Sequence, residues 1–300
     1  MIDVHCHLLP ASYPELVGEL GAGTPPPGVP APPGLKQPDA CWERLGDDGW
    51  AVVAPPPLAF RDDLEGERLA RFAAGLNDGM VALAAGRPRA AVLGWLPLGD
   101  PATAVAEVER LAGEQVVVGM AVGAAPGSRP LSDPALDEVW AALAAADLGL
   151  FVHPDGDPLG AAKTGARPSI LGFPTVTTAA LLDLLAADCA LWDSGVRLCA
   201  AHGGGFVAVA HSRATRLLDP EARAAQQRRL DSIWVDGVVF DPRFQSFLTE
   251  LFPAGRVLLG SDWPFPLSLT SAELSAQAQA SVIDPFQAAT AWCPRLARLA

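Results

Sequence analysis

Two histidines, His5 and His7, lie two positions apart near the beginning of the sequence. On a β-strand, residues i and i+2 point to the same face, so both imidazole rings are expected to project together. Two neighbouring imidazoles suit a divalent metal ion such as zinc. A lone His-x-His pair is weak evidence, because such pairs also occur as structural features. The pair becomes informative when other metal-ligating residues meet it.

Three further residues of these chemical types each end or follow a short apolar run. His153 ends LGLFVH, His202 follows VRLCAA and precedes three glycines, and Asp262 follows RVLLGS. Glycines permit tight turns and close backbone approach to a ligand. Each residue alone has a structural explanation, such as a hydrogen-bonded core histidine. Their shared position at the ends of apolar runs favours one metal-centred site.

Eight apolar runs are typical of strands buried on both faces, since they are rich in Val, Ile, Leu and Phe and mostly do not alternate. The predicted strands are Ile2–Leu8, Trp50–Ala54, Ala91–Leu96, Gln115–Val122, Leu148–His153, Val196–His202, Ser232–Val235 and Arg256–Asp262. Most precede a segment with helical spacing, so we predict an α/β fold in which residues 1–300 form one (β/α)8 TIM barrel domain. The C-terminal ends of barrel strands converge on one rim, where active sites lie.

The segments between these strands have helical spacing. The predicted helices are Leu64–Ala85, Pro101–Gly113, Asp133–Ala146, Thr177–Ala190, Pro242–Leu251 and Ala272–Ser281. Pro101, Pro134 and Pro242 each follow an aspartate, which is typical of an N-cap residue before a proline at the first helical position. An open doubly wound sheet is the alternative fold. It would need a glycine-rich phosphate loop after the first strand, where this chain has HCHLLP.

A proline-rich segment follows the first strand. Six of the eleven residues in Thr24–Gly34 are proline, so the segment cannot form a helix interior or a central strand. We predict an insertion on the rim of the barrel that carries the site. A semi-rigid loop is favoured over a partner-binding proline motif.

Composition narrows the class of protein. With 21 Lys and Arg against 34 Asp and Glu, the net charge is −13, so nucleic acid and anionic membranes are not expected partners. The sequence contains no uninterrupted apolar run of about 18 residues, so no membrane span is predicted. The first residues lack the features of a secretory signal. Five cysteines without a CxxC pair fit a reducing, cytoplasmic compartment.

Together these motifs resemble the amidohydrolase superfamily. Within it, the chain resembles the branch of aminocarboxymuconate-semialdehyde decarboxylase and 6-methylsalicylate decarboxylase. The resemblance spans nearly the whole chain and is strongest from Leu148 to Leu267. The segments that carry it are IDVHCHLLP, FVHP, LGFPTVTT, AHGGG, WVDGVVFDP and VLLGSDWPFPL.

The resemblance implies a role for each residue of the site. His5, His7, His153 and Asp262 match the family's ligands for one divalent metal ion, usually zinc, with manganese as the alternative. His202 matches a histidine that acts as general acid and base without binding the metal. No organic cofactor is implied.

The resemblance also implies how the substrate is held. Arg213 stands eleven residues after His202, as does a family arginine that reaches into the neighbouring subunit's site and grips a substrate carboxylate. A homodimer and a small-molecule carboxylate substrate are therefore expected. Trp263 and Phe265 could stack on a flat substrate or pack against the barrel rim. His211 is expected at the surface or at an interface.

Three departures argue against the muconate semialdehyde itself as substrate. The segment after Cys41-Trp42 is shorter than in semialdehyde-type members, and only Arg44 is available there as a second carboxylate-binding arginine. Val176 replaces an acidic residue often found before the Thr-Thr pair. Trp263 replaces a common tyrosine, although tryptophan also occurs.

The resemblance implies a metal-dependent, non-oxidative decarboxylase of a small aromatic or unsaturated acid, salicylate-like or muconate-like. Asp262 or His202 would protonate the carbon bearing the carboxylate, or a hydroxide would add to a double bond; the sequence leaves both routes open. A metal-dependent hydrolase of a lactone or amide is the alternative function. A catalytically silent binding protein is disfavoured, because all five site residues are retained.

Overall fold

The computed structural model describes residues 1–20, 31–124, 129–155 and 168–300. The predicted proline-rich insertion lies outside the described residues up to position 30, and the chain is described again from position 31. The last part of the insertion, PGLK at Pro33–Lys36, forms a 3₁₀ turn. This turn is bonded to the end of the first strand, because Leu9 N–H donates to Leu35 O at 2.7 Å.

Eight parallel strands form one sheet in sequence order, as predicted for a (β/α)8 barrel. The strands are β1 Ile2–His7, β2 Trp50–Ala54, β3 Ala90–Trp95, β4 Val117–Gly123, β5 Gly149–His153, β6 Leu198–Ala200, β7 Trp234–Asp236 and β8 Val257–Leu258. Backbone hydrogen bonds from Val4 N–H to Leu259 O (2.9 Å) and from His7 N–H to Trp263 O (2.8 Å) join β1 to the segment after β8. The ends of the sheet therefore meet, and the predicted barrel is confirmed.

Twelve α-helices are found among the described residues. They are α1 Tyr13–Glu19, α2 Pro38–Glu43, α3 Gly66–Ala84, α4 Pro101–Leu111, α5 Asp137–Ala145, α6 Phe173–Ala186, α7 Leu191–Ser194, α8 Val207–Ala214, α9 Pro220–Ser232, α10 Pro242–Leu251, α11 Ser271–Ala280 and α12 Pro285–Trp292. The predicted aspartate caps are confirmed, since Asp100, Asp133 and Asp241 each accept a hydrogen bond from a backbone N–H two or three residues on. The predicted helix Thr177–Ala190 is wrong at both ends, because α6 begins at Phe173 and stops at Ala186.

Two predicted strands extend too far. Val196–His202 and Arg256–Asp262 were expected as strands, but β6 ends at Ala200 and β8 at Leu258. His202 and Asp262 have φ angles of 56° and 61°, which lie in the left-handed region and cannot continue a strand. Both residues therefore sit in tight turns just beyond the strand ends.

The barrel interior beneath the rim is apolar. The Phe151 ring of β5 lies 4.9 Å from the His5 ring on one side and 5.9 Å from the Trp292 ring of α12 on the other. All three side chains are fully buried. This packing closes the barrel below the histidines and keeps water from reaching them from that end.

One described helical segment, Ser169–Ala186, is long and apolar enough to span a membrane by length and composition. It contains Pro174 and Asp183, and 39% of the segment is buried within the protein. Core helices of barrels also have this composition, because one face packs on the sheet. Leu181, Leu184 and Leu185 form that buried face here.

Candidate metal centre

The five residues that end the apolar runs converge on one rim of the barrel. His5 and His7 lie at the end of β1 and His153 at the end of β5, while His202 and Asp262 follow β6 and β8. One ligand atom from each of His5, His153, His202 and Asp262 lies within 4.8 Å of the others. His7 Nε2 lies 3.0 Å from His5 Nε2 and 3.2 Å from Asp262 Oδ1. The structure therefore brings all five together.

The orientation of the His5 ring is fixed by Asp236 of β7. His5 Nδ1 lies 2.6 Å from Asp236 Oδ2, and both side chains are fully buried. The other Asp236 oxygen accepts hydrogen bonds from the N–H groups of Gly203 (3.2 Å) and Val238 (3.0 Å). Because an ionised carboxylate only accepts, Nδ1 carries a proton, and Nε2 faces the cluster, where it can offer a lone pair to a metal ion that displaces its own proton.

The orientation of His153 follows the same logic with a backbone partner. Its Nδ1 donates to the Pro154 carbonyl at 2.9 Å, which leaves the lone pair on Nε2. That Nε2 is buried and has no hydrogen-bond partner among the described residues. A buried unpaired nitrogen is costly, so this atom is suited to a ligand that the polypeptide does not supply.

His202 and Asp262 both take the left-handed conformation, which aims them back over the strand ends. Their side chains meet, with His202 Nε2 3.3 Å from Asp262 Oδ2. The His202 turn continues through Gly203 and Gly204, whose φ angles are also positive. His202 is 15% exposed, against 0% for His5 and 1% for His7. Among the described residues, His202 therefore lies on the solvent side of the cluster.

Opposed effects set the charges of the cluster. Burial acts to lower the pKa of His5, but the carboxylates of Asp236 and Asp262 outweigh it and raise that pKa to about 10. Burial acts to raise the pKa of Asp262, yet the imidazoles of His5 and His202 hold it well below its usual range. Burial lowers the pKa of His7 and of His153. The two carboxylates thus favour a positive charge at His5, whereas His7 and His153 are held in their neutral forms.

These donors fit a divalent metal ion. Imidazole nitrogens and one carboxylate oxygen are ligands that suit zinc and manganese. Asp236 and Pro154 fix the lone pairs of His5 and His153, as hydrogen-bonding partners of metal-ligating histidines commonly do. The ligand roles of the individual residues stay predictions.

The predicted substrate-binding residues lie in different surroundings. The Phe265 ring lies 5.5 Å from the His7 ring, beside the cluster. Trp263 is half-buried, and the Arg44 guanidinium lies 5.4 Å from the centre of its ring. Arg213 is exposed on α8. Their substrate-binding roles stay predictions.

One expectation from the sequence is wrong. His211 was expected at the surface or an interface, but it is 4% exposed. It shares the buried face of α8 with Val207, and Thr215 continues that face one turn later. The spacing of four residues is the helical period, which is the signal that could have identified this position.

Sequence reasoning gave no role in the site to Ser261. Its hydroxyl and backbone N–H both bond to Asp3 of β1, 258 residues away in the chain. A serine in a turn is common, so no feature of the sequence identifies it. The contacts of Asp3 to Ser261 connect β1 with the turn of Asp262.

This chain is similar to known proteins over most of its length. The chain is 23% identical over 302 residues to 2-amino-3-carboxymuconate-6-semialdehyde decarboxylase of Dictyostelium discoideum, covering 89% of this chain and 82% of that protein. Among solved structures, the IDCase of Metarhizium anisopliae superposes with a TM-score of 0.78 at 22% identity, covering 99% of this chain and 97% of the other. A dihydroxybenzoic acid decarboxylase of Polaromonas with bound manganese and the inhibitor 2-nitroresorcinol has a TM-score of 0.73 at 17% identity, covering 99% and 96% of the two chains.

The structural neighbours share the fold of this chain. The matched region of the sequence extends over almost all of the chain and includes every residue of the cluster. The family model for amidohydrolases matches residues 2–290, and the chain therefore belongs to the amidohydrolase family.

Proposed function

We propose that this chain is a metal-dependent, non-oxidative decarboxylase of a small aromatic or unsaturated carboxylic acid, salicylate-like or muconate-like. The observation that carries this proposal is the convergence of four histidines and one aspartate on the barrel rim. His202, the most exposed of these histidines, lies on the solvent side. The decarboxylase relative in Dictyostelium and the dihydroxybenzoic acid decarboxylase of Polaromonas support the reaction type.

His5, His7, His153 and Asp262 would hold the metal ion. Zinc is the first candidate from the donor set, and manganese, which is bound in the Polaromonas protein, is the alternative. When bound, the ion would orient the carboxylate together with an adjacent oxygen and stabilise the negative charge that develops as CO₂ leaves.

The chain itself supplies the proton. The contact between His202 Nε2 and Asp262 Oδ2 supports the proposed acid–base role of this pair. Transfer of the proton to the carbon that bears the carboxylate breaks the conjugation of the substrate. Cleavage of the C–CO₂ bond then returns its electron pair to the conjugated system, and the proton stays in the product as C–H.

The apolar surroundings support this chemistry. Phe151 lies below His5 and Phe265 lies beside His7, so two aromatic rings border the cluster. Excluding water strengthens the electrostatic interactions between the cluster and a charged substrate. Phe265 would also contact a flat ring held above the histidines.

We further propose that two copies of the chain form the active unit. The α6 and α8 helices pack together, and large apolar side chains are exposed just before α6, just before α8 and on α8 itself. The exposed fractions are 60% for Ile170, 46% for Leu171, 42% for Phe206 and 63% for Val209. Val209 and Arg213 lie four residues apart on α8, and exposed apolar side chains support an interface in which a second copy would cover them and carry Arg213 towards the neighbouring site.

Replacing Arg213 with alanine is expected to raise KM for the acid about tenfold or more, because a charge-assisted hydrogen bond to the carboxylate is lost. Steady-state kinetics on the dimer, with its mass measured by light scattering, provides the measurement. Arg216→Ala is the matched control, since Arg216 is also exposed and lies one helical turn further on. An unchanged KM in the Arg213→Ala dimer would remove this arginine from substrate binding.

The reaction type is tested by a substrate panel. The metal-loaded chain is incubated with salicylate-type and muconate-type acids, and CO₂ is measured; lactones and amides are assayed in parallel for new carboxylate. We expect CO₂ from at least one acid and no hydrolysis, because the proposed role of His202, in contact with Asp262, is to protonate carbon. Hydrolysis of a lactone or amide without CO₂ from any acid would instead identify a hydrolase.

A further inference from the structure

A second buried polar cluster adjoins the turn that carries Asp262. Asp3 of β1 is fully buried, and its two carboxylate oxygens accept four hydrogen bonds. Oδ1 accepts from the backbone N–H groups of His5 at 3.1 Å and Ser261 at 3.0 Å. Oδ2 accepts from Ser261 Oγ at 2.6 Å and from the guanidinium of Arg44. One carboxylate thus joins β1, the turn after β8 and the end of α2.

Ser261 connects this cluster to both sides of Asp262. Its hydroxyl donates to Asp3 and accepts from the N–H of Trp263 at 3.1 Å. The N–H of Asp262 itself donates to His5 O at 2.7 Å. A left-handed conformation at a residue other than glycine persists only where the surroundings determine it, and these hydrogen bonds supply that constraint.

Arg44 supplies the opposite charge that Asp3 needs. Its side chain is 12% exposed, and the partner carboxylate is fully buried. The guanidinium also lies against the Trp263 ring, and the Arg44 carbonyl accepts a hydrogen bond from Ser271 Oγ at 2.9 Å. A buried carboxylate without a cation is unfavourable, so Arg44 stabilises the charged Asp3 that holds the turn.

We propose that Arg44, Asp3 and Ser261 are positioning residues that hold the Asp262 carboxylate towards the metal site. This inference rests on the proposed function, because it explains how a proposed metal ligand is aimed. It also assigns the guanidinium of Arg44 to Asp3 rather than to the carboxylate of a substrate. Residues that orient a metal ligand typically change metal affinity 10- to 100-fold when they are replaced, which gives the expected size of the effect.

The test measures binding of Zn²⁺ alone, in competition with a chromophoric chelator, to the full chain and its variants. Ser261→Ala and Arg44→Met are expected to bind Zn²⁺ about 10- to 100-fold more weakly than the unaltered chain. Arg44→Lys keeps a cation beside Asp3 and is expected to restore most of the affinity. Thr215→Ala is the matched control, because it removes a buried hydroxyl that bonds to His211 O, away from the cluster.

Kinetics separates positioning from substrate binding. Arg44→Met is expected to lower kcat at equal metal loading and to leave KM for the acid unchanged. An increase in KM with normal Zn²⁺ affinity would make Arg44 a substrate-binding residue and overturn the proposal. Normal Zn²⁺ affinity in both Ser261→Ala and Arg44→Met would also overturn it while leaving the proposed function intact. Failure of the unaltered chain to bind either Zn²⁺ or Mn²⁺ would refute both.

Discussion

Replacing His202 with alanine is expected to lower kcat about 10²- to 10⁴-fold while the chain keeps its metal. His202 is the most exposed histidine of the cluster at 15%, and its Nε2 lies 3.3 Å from Asp262. An acid–base group at that position would touch the substrate. The four proposed ligands would hold the ion without His202. We therefore expect His202→Ala to show a strongly reduced kcat together with an unchanged metal content.

Metal content and turnover must be measured on the same preparation. His211→Ala is the matched control, since it removes a buried histidine that lies on α8 outside the cluster. We expect it to keep both metal and turnover. Loss of metal in His202→Ala would show that His202 is a ligand. This alternative is specific, because a ligand atom of His202 lies within 4.8 Å of those of His5, His153 and Asp262. Unchanged turnover would remove it from the mechanism.

Replacing His153 with alanine is expected to empty the site and to reduce CO₂ release to background. The His153 Nε2 atom is buried and lacks a hydrogen-bond partner among the described residues, so its lone pair is available to an ion. A ligand that binds only the folded chain stabilises it by mass action. Removing the metal should therefore lower the Tm of the unaltered chain and leave the Tm of His153→Ala unchanged.

Thermal unfolding with and without a chelator provides this comparison. His211→Ala serves again as the control, because its Tm should still respond to the chelator. A His153→Ala variant that retains about one metal ion per chain, or whose Tm still falls on chelation, would show that His153 is not required for metal binding.

The convergence of the five cluster residues could be predicted because each of them lies in, ends or follows an apolar run. His153 is the last residue of β5 as observed, and His5 and His7 end β1. In a parallel barrel the ends of strands meet at one rim whatever their separation in sequence. The position of the cluster therefore followed from the pattern of strands alone.

The exact ends of β6 and β8 could not be predicted. The apolar run continues from Val257 through Leu259, yet regular pairing stops at Leu258 because the chain turns back at Asp262. The turn is held by hydrogen bonds from Ser261 to Asp3, which are long-range contacts that one sequence does not display. Helix α9 was missed for another reason: the segment PEARAAQQRRLDS buries only Leu230 and lacks an apolar face.

The partner of Arg44 also could not be predicted from the sequence. Arg44 was available from the sequence as a carboxylate-binding residue, but its guanidinium pairs with Asp3. Arg44 directly follows α2, which ends at Glu43, and its guanidinium lies beside the Trp263 ring next to the turn of Asp262. This contact joins segments more than 200 residues apart, which one sequence does not display.

The claim on which the account depends is that a divalent ion binds where the four histidines and Asp262 meet. Elemental analysis of the unaltered chain, before and after chelation and after reloading with Zn²⁺ or Mn²⁺, tests it most directly. The account predicts about one ion per chain, CO₂ release that disappears with the ion and returns on reloading. A metal-free preparation that releases CO₂ at the full rate would contradict it.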